Sequence, residues 1–323
     1  MQNHHLSKSI IDILSIARLA PSVHNTQPWR VQAGQDELAI FPSSDLALVH
    51  GDPTGRQKVI SIGIFTEACV IALAHCGFIA GKIDYQNDGK VLISVNSGVN
   101  KSQKVIDADV RALKRRFTDR AVYQKTNVTK AQLESIESSW KPNGAKVTAT
   151  ADAGLISLCA QLTRQGLSIA LGSPDFRKEL ASYLVPSQKT PYGIPVTTLK
   201  SGGVQSRLMK KILAFDRVQS QEAKREYERW LSASGVVFVL AKGDSPAFWL
   251  ESGRAYLRAA LAIQKLGFHQ ATSAAVVEAS DFHEDIEKAL GTKMRLQCLI
   301  RFGASKSKYR YSGRFKPQDL LIT

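Results

Sequence analysis

The stretch Ala20-Pro21-Ser22-Val23-His24-Asn25-Thr26-Gln27-Pro28-Trp29-Arg30 links a helix to a strand and concentrates polar side chains in the link. Apolar residues at helical spacing predict a helix over residues 7–20, and Pro21 ends it because the residue before a proline is kept out of the α region. Trp29, Val31 and the run 38–41 then favour strands. Such a link can present backbone amides and short polar side chains to a ligand, or its Ser and Asn can satisfy their own backbone.

The motif Pro21-Ser22-x-x-Asn25-x-Gln27-Pro28-Trp29 resembles the signature of the nitroreductase family of FMN flavoproteins, with six matching residues within nine positions. The resemblance implies an FMN cofactor whose isoalloxazine ring contacts the segment of Pro21 and Ser22, with Asn25 at the ring edge and Gln27 in the same loop. His24 is a variable neighbour, which could donate a hydrogen bond to the ring or simply be solvated. We therefore treat these five residues as candidate cofactor-binding residues.

Two basic motifs are candidates for binding the flavin phosphate, which carries about −1.5 to −2 charges. In Arg116-x-Thr118-x-Arg120, an extended backbone would place two guanidinium groups and a hydroxyl on one side. This spacing resembles the family's Arg-x-Ser-x-Arg/Lys motif, which binds phosphate and ribityl oxygens; the other interpretation is an exposed basic helix end. Near the C-terminus, Arg314 and Lys316 resemble the paired basic residues that many nitroreductases bring to the same phosphate, although by themselves they indicate only a charged tail.

Two further segments are candidates for contacts with the ribityl chain and the ring. Arg56 follows Asp52-Pro53-Thr54-Gly55 at a predicted helix start, where it could reach the phosphate or ribityl chain, or pair with Asp52 at the surface. By resemblance, the stretch Thr272-Ser273-Ala274-Ala275, which contains the candidate residues Ser273 and Ala274, matches the position where the family usually has an acidic residue and a glycine near flavin N5. The alanines at 274 and 275 depart from that pattern, but a backbone N–H there can still meet N5. Neither a catalytic triad nor a metal-ligand set stands out, so no catalytic or metal-binding residue is predicted.

Four additional sequence motifs resemble those of the acg-like branch of the nitroreductase family. They are Asp52-Pro53-Thr54-Gly55-Arg56, Arg115-Arg116-x-Thr118-x-Arg120, Gly193-Ile194-Pro195 and Trp249-x-Glu251-x-Gly253. The matches extend from residue 8 to about residue 317. In that branch one chain is thought to mimic the two-subunit nitroreductase dimer, with a single FMN between the halves. The resemblance implies an α+β, three-layer α-β-α fold with related halves at 1–104 and 105–323. The Pro- and Gly-rich stretch at about 186–204 is expected to be a lid or exchange arm.

Composition limits the classes of function. The 323 residues are 44% hydrophobic and 22% charged, which is ordinary for a globular protein. The formal net charge of +15 is scattered in short clusters, without a helix-turn-helix, zinc-finger or RNA-recognition signature. The most apolar run, 62–76, is too short to span a bilayer. Four cysteines in apolar periodic segments and a start without signal-peptide features favour buried thiols in the cytoplasm.

The leading functional hypothesis is an FMN-dependent oxidoreductase that passes a hydride from NADH or NADPH to nitroaromatic, quinone or related acceptors. The alternative is a flavin-binding protein that stores or shields FMN with little turnover, which the alanine departure and the predicted lid favour. Nucleic-acid binding through the basic surface is a third, weaker hypothesis. We expect a small-molecule electron acceptor as partner, no nucleic acid and no membrane, and a monomer that resembles a dimer or forms a weak homodimer.

Overall fold

Two four-stranded antiparallel sheets organise the protein in the computed structural model, which describes residues 6–141, 144–198, 217–308 and 310–322. Parts of two predictions lie outside the described residues: the predicted lid from 199 to 204, and the part before residue 217 of a basic helix that the sequence predicts over about 205–228. The basic pair Lys210-Lys211 also lies there. All thirteen candidate cofactor-binding residues lie within the described ranges.

The first half carries the sheet of order β1-β2-β4-β3. Its elements are α1 (Leu6–Ala17), β1 (Trp29–Ala33), β2 (Glu37–Pro42), α2 (Arg56–His75), β3 (Phe78–Tyr85), β4 (Val91–Ser97) and α3 (Gln103–Arg115). Along β4 buried and half-buried residues alternate, because only one face of this sheet is covered by helices. The predicted boundary between residues 104 and 105 falls within α3, and the division into two domains stays a prediction.

The second half repeats the strand arrangement in the sheet of order β5-β8-β10-β9. Its first elements are α4 (Lys130–Glu137), β5 (Ala145–Thr150), α5 (Ala153–Gly172), α6 (Pro174–Ser182), β6 (Leu184–Val185), β7 (Ile194–Pro195) and α7 (Arg217–Leu231). They are followed by β8 (Gly235–Ala241), α8 (Pro246–Lys265), β9 (His269–Thr272), α9 (Ala275–Glu278), α10 (Phe282–Ala289) and β10 (Arg295–Gly303). The short strands β6 and β7 pair in parallel, which holds the middle of the lid region beside the residues that precede it.

Helices cover both faces of the second sheet. All seven residues of β8 are buried. Val237 and Val239 belong to the main core with α8, whereas Phe238 and Leu240 pack with α5 and α7. Alternate residues point to opposite faces of a strand, so these two clusters are two helical layers with the sheet between them. The predicted α+β class is therefore confirmed, with α-β-α layers around this sheet.

The two halves meet where α2 crosses α8. A methyl group at Gly63 would lie 2.1 Å from the Leu250 carbonyl oxygen, and one at Gly253 would lie 2.0 Å from the Ile60 carbonyl oxygen. Glycine is therefore required at the crossing, because any side chain would push the helix backbones apart. A buried ion pair between Glu67 of α2 and Arg254 of α8 (3.0 Å) adds a second contact. Although α2 is long and apolar enough to cross a membrane, most of it is buried in this core.

Sequence patterns located the long helices more reliably than the short strands. The three-residue spacing of Thr129 and Gln132 predicts a capping box, and the two residues form it at the start of α4. The first helix ends at Ala17, three residues before the predicted end. Strands β3 and β9 and the short helix α9 were not predicted. Each of the two strands directly follows a long helix and has weak apolar alternation, so only pairing with its neighbour identifies it.

Candidate functional site

The motif turn, residues 21–28, has an unusual backbone. His24, Asn25 and Gln27 have φ angles of 45°, 58° and 50°, in the left-handed region that non-glycine residues seldom adopt. The turn is held to α2 by a hydrogen bond from the Val23 amide to Ser61 Oγ (3.1 Å). Ser22 Oγ accepts from the Gln27 amide (2.9 Å) and closes the turn internally. Strain of this kind persists where surrounding contacts enforce it and is concentrated at ligand sites.

A cavity of about 280 Å³ lies against this turn. Its other walls are the segment that follows α3, the lid (residues 186–198) and a C-terminal segment that we call the strap (residues 310–316). The cavity brings together eight of the thirteen candidate residues: Pro21, Ser22, His24, Asn25, Arg116, Thr118, Arg120 and Arg314. Five arginines line it, whereas no Asp or Glu is among its described lining residues. Arg18 comes from the residues between α1 and the motif turn, Arg116 and Arg120 from the segment after α3, and Arg310 and Arg314 from the strap. The cavity is therefore suited to an anionic ligand.

The segment after α3 runs alongside β9. Arg116 ends the helix in an extended conformation. Thr118 forms a parallel bridge with Gln270, and the amide of Asp119 donates to the Gln270 carbonyl (2.8 Å). This pairing supports the extended form that was predicted to direct alternate side chains to one side, and Arg116, Thr118 and Arg120 all line the cavity.

Arg120 is the cationic group best placed to bind an added anion. Its half-buried guanidinium forms no hydrogen bond or ion pair with the described residues. Burial lowers the pKa of Arg120 below its usual range, and the nearby charges of Arg229 and Arg301 act in the same direction, against Glu226 and Glu222. A guanidinium still stays charged at neutral pH. A buried charge without a direct partner is costly to the protein, and an anionic ligand would offset that cost.

His24 provides a neutral polar group beside this charge. Burial, together with the charge of Arg120, lowers the pKa of His24 to about 4, and Glu179 acts in the opposite direction. The imidazole is therefore neutral at pH 7. Its Nδ1 is buried without a hydrogen-bond partner among the described residues, and its ring lies 5.8 Å from that of Tyr183. A neutral imidazole with an unused nitrogen is able to hydrogen-bond a ligand in the cavity.

Asn25 and Gln27 are bonded mainly to the lid and the strap. Asn25 Nδ2 donates to the carbonyls of Gly193 in the lid (3.1 Å) and Gly313 in the strap (3.0 Å). Gln27 Nε2 donates to the Pro191 carbonyl (2.7 Å), and its Oε1 accepts from the Phe315 amide (3.1 Å). Both amide donors of Asn25 are thus already used by backbone carbonyls. In this structure both side chains join the two segments that cover the cavity.

Three arginines fasten the strap around the cavity. Arg18 Nη1 donates to the Phe315 carbonyl (3.0 Å), and Arg314 Nη1 donates to Asn25 Oδ1 (2.7 Å). Arg310 Nη1 donates to the Thr197 carbonyl of the lid (2.8 Å). Sequence reasoning missed Arg18 and Arg310 as cavity residues. The available signal was proximity to motifs, since Arg18 precedes Pro21 by three residues and Arg310 precedes Arg314 by four.

Four candidate residues besides Gln27 lie outside the cavity lining. Arg56 is buried and pairs with Glu278, while its Nε donates to Gln297 Oε1 (3.0 Å). The alternative pair with Asp52 is not formed, because that carboxylate accepts from the Gln57 and Lys58 amides at the start of α2. Ser273 and Ala274 lie between β9 and α9, and Lys316 is exposed at the end of the strap.

Comparisons with known proteins extend across most of the chain, although none of the family models searched matches it. It is 23% identical over 303 residues, 90% of this chain and 87% of the relative, to the Mycobacterium tuberculosis protein "Putative NAD(P)H nitroreductase acg". It is 36% identical over 122 residues to "Putative NAD(P)H nitroreductase Rv3131" of the same organism, a match that spans 36% of this chain and only 35% of that relative.

Among solved structures, the chain is similar to a nitroreductase with bound FMN from Desulfitobacterium hafniense, with a TM-score of 0.42 and 14% identity. That match covers 67% of this chain and 97% of the other. The resemblance to acg-like nitroreductases predicted from the motifs is confirmed by the relative aligned over nine tenths of this chain.

Proposed function

We propose that this chain, which is similar over 90% of its length to an acg-like nitroreductase, binds FMN and acts as an NAD(P)H-dependent oxidoreductase. The observation that carries the proposal is the arginine-lined cavity against the motif turn. A strained turn, an unpartnered guanidinium and a neutral imidazole with an unused nitrogen converge there. This combination suits a ligand with a phosphate at one end and a flat polar ring system at the other.

The described residues fit FMN in a specific arrangement. Arg116, Thr118 and Arg120 would hold the phosphate, because guanidinium forks and a hydroxyl match its oxygens. Ser22 and His24 would lie along the ring. The roles of Asn25 and Gln27 are indirect in this proposal: they position the lid and the strap over the cavity.

When bound, FMN supplies two-electron chemistry, accepting a hydride from reduced nicotinamide and delivering it to a nitroaromatic, quinone or related acceptor. The protein's own contribution is to bind and orient the cofactor and to exclude water. The lid and the strap would exclude water, because their backbones are hydrogen-bonded to Asn25 of the motif turn and cover the cavity there. We place this activity in the cytoplasm, where reduced nicotinamide cofactors are available and the four free cysteines would stay reduced.

A second candidate function is storage or shielding of FMN with little turnover. Two observations favour it: the lid and the strap are both bonded to the motif turn, and alanine occupies positions 274 and 275. Under this hypothesis the same residues bind FMN, but the covered ring is not reached by nicotinamide or an acceptor.

The test is an absorbance spectrum of the purified protein loaded with FMN, followed by addition of NADH or NADPH without oxygen. We expect a flavin band that is bleached by the nicotinamide and restored by menadione. A band that neither nicotinamide bleaches would support storage instead. If no flavin is retained after FMN addition and gel filtration, both functions are wrong.

A further inference from the structure

The cavity carries more positive charge than one flavin phosphate would neutralise. Five guanidinium groups line it, and its described lining residues include no carboxylate. A phosphate monoester brings about −1.5 to −2 charges at neutral pH, so the five lining guanidinium groups carry a surplus of positive charge over one phosphate. Such a surplus favours a second anionic group in or at the mouth of the cavity.

The lining arginines differ in burial, which distinguishes inner cations from an outer one. Arg116 is buried and Arg120 is half-buried. Arg310 is exposed on the strap, and its described bond is to the lid carbonyl of Thr197. The outer cation is therefore available to a different anion from the one bound by the inner cations.

Arg310 is also held in a defined position. One of its terminal nitrogens is bonded to the lid, whereas the planar guanidinium carries five N–H donors in a fixed geometry. Tyr311, the next residue, lines the same cavity and is 58% exposed. An oriented cation beside an exposed aromatic ring suits a ligand that has a flat apolar body and an anionic group.

We propose that Arg310 and Tyr311 form a second anion subsite at the mouth of the cavity, which binds the anionic group of the ligand that exchanges electrons with the flavin. The identity of that ligand rests on the proposed function, whereas the subsite itself belongs to the strap. Two sources supply such a group: the pyrophosphate of a nicotinamide dinucleotide, or a carboxylate on an aromatic acceptor. Both present oxygens that a guanidinium binds with charge-assisted hydrogen bonds.

The first experiment measures binding without turnover. Inorganic pyrophosphate is titrated calorimetrically into the FMN-loaded protein, and we expect one binding event per chain. In Arg310→Gln the pyrophosphate affinity should fall about tenfold, the effect of losing one charge-assisted interaction, while the flavin content is retained. Arg164→Gln is the matched control, because Arg164 is exposed on α5 outside this cavity, and its pyrophosphate affinity should equal that of the unaltered protein.

The outcome separates failure of the subsite from failure of the proposed function. Pyrophosphate that does not bind the FMN-loaded protein, or binds equally to Arg310→Gln, overturns the subsite while FMN binding stands. If the protein takes up no FMN, the proposed function fails by itself. Pyrophosphate is then titrated into the unloaded protein, where we expect two binding events. The subsite is supported if Arg310→Gln removes one of the two events and is overturned if both events remain.

The second experiment identifies the source of the anion from separate half-reactions. Flavin reduction is compared between NADH and uncharged reduced nicotinamide riboside, and flavin reoxidation between 4-nitrobenzoate and 4-nitrobenzyl alcohol. Loss of about tenfold in rate constant at subsaturating NADH, but not with the riboside, assigns the subsite to the donor. The corresponding loss with 4-nitrobenzoate alone assigns it to the acceptor. An equal effect of Arg310→Gln on all four reactions overturns the proposal.

Discussion

Replacing Arg120 by alanine should weaken FMN binding without lowering the stability of the unloaded protein to unfolding. The guanidinium is half-buried and has no hydrogen-bond or ion-pair partner among the described residues, so its removal eliminates a charge that has no direct partner. Arg301 is the contrasting case. It is fully buried and donates to the carbonyls of Arg229 and Ala121 (both 3.1 Å).

The expected magnitude follows from this difference in partners. Hydrogen bonds that involve a charged group contribute about 1.5–3 kcal/mol, so Arg120→Ala should raise the Kd for FMN by roughly tenfold to a hundredfold. The urea midpoint of the unloaded protein should stay the same or rise, since desolvation of the guanidinium no longer opposes folding. Arg301→Ala should lower that midpoint, because it leaves buried carbonyls without a donor.

The measurements are fluorescence titration of FMN and urea unfolding followed by circular dichroism. Arg164→Ala serves as the control for loss of an exposed arginine, with little change in either quantity. An FMN affinity within twofold of the unaltered protein would remove Arg120 from the site. A clear fall in the urea midpoint of unloaded Arg120→Ala would refute the argument that its charge, which lacks a direct partner, does not stabilise the fold.

Three further predictions concern the scaffold and the covering segments. Gly63→Ala should lower the free energy of unfolding by about 1–3 kcal/mol, because the added methyl group meets the Leu250 carbonyl at the helix crossing. Gly172→Ala is the matched control, since a methyl group there meets open space. Equal urea midpoints for the two variants would contradict the packing argument. Asn25→Asp replaces two donors by an oxygen facing carbonyls and should speed FMN release and proteolysis of the lid; release and cleavage at unaltered rates would count against the joining role. Burial in the folded state lowers the pKa of His24 to about 4, so protonation of His24 favours the unfolded chain. The free energy of unfolding should therefore decline as the pH falls from 6.5 toward 4. The same dependence of stability on pH in His24→Gln would show that another group is responsible.

The sequence by itself predicted the elements whose signals are local. The long helices α2 and α8 follow from extended apolar periodicity, and the α4 cap follows from the spacing of Thr129 and Gln132. The motif turn was recognisable because six defining residues lie within nine positions. The spacing of Arg116, Thr118 and Arg120 likewise predicted residues that share one site, and all three line the cavity.

Only the tertiary structure decided which polar groups are left to bind a ligand. Arg56 and Arg120 are both arginines close to family motifs, yet the first is bonded to Gln297 and Glu278 and the second has no direct partner. Asn25, which was expected at the flavin ring, donates to one carbonyl of the lid and one of the strap, and both are more than 160 residues away in the sequence. The hydrogen-bond partners of these side chains depend on which backbone segments from distant parts of the sequence lie beside them. The positions of those segments depend in turn on how both halves pack around the crossing of α2 and α8. A local sequence pattern carries no information about it, because the competing partner belongs to another part of the chain.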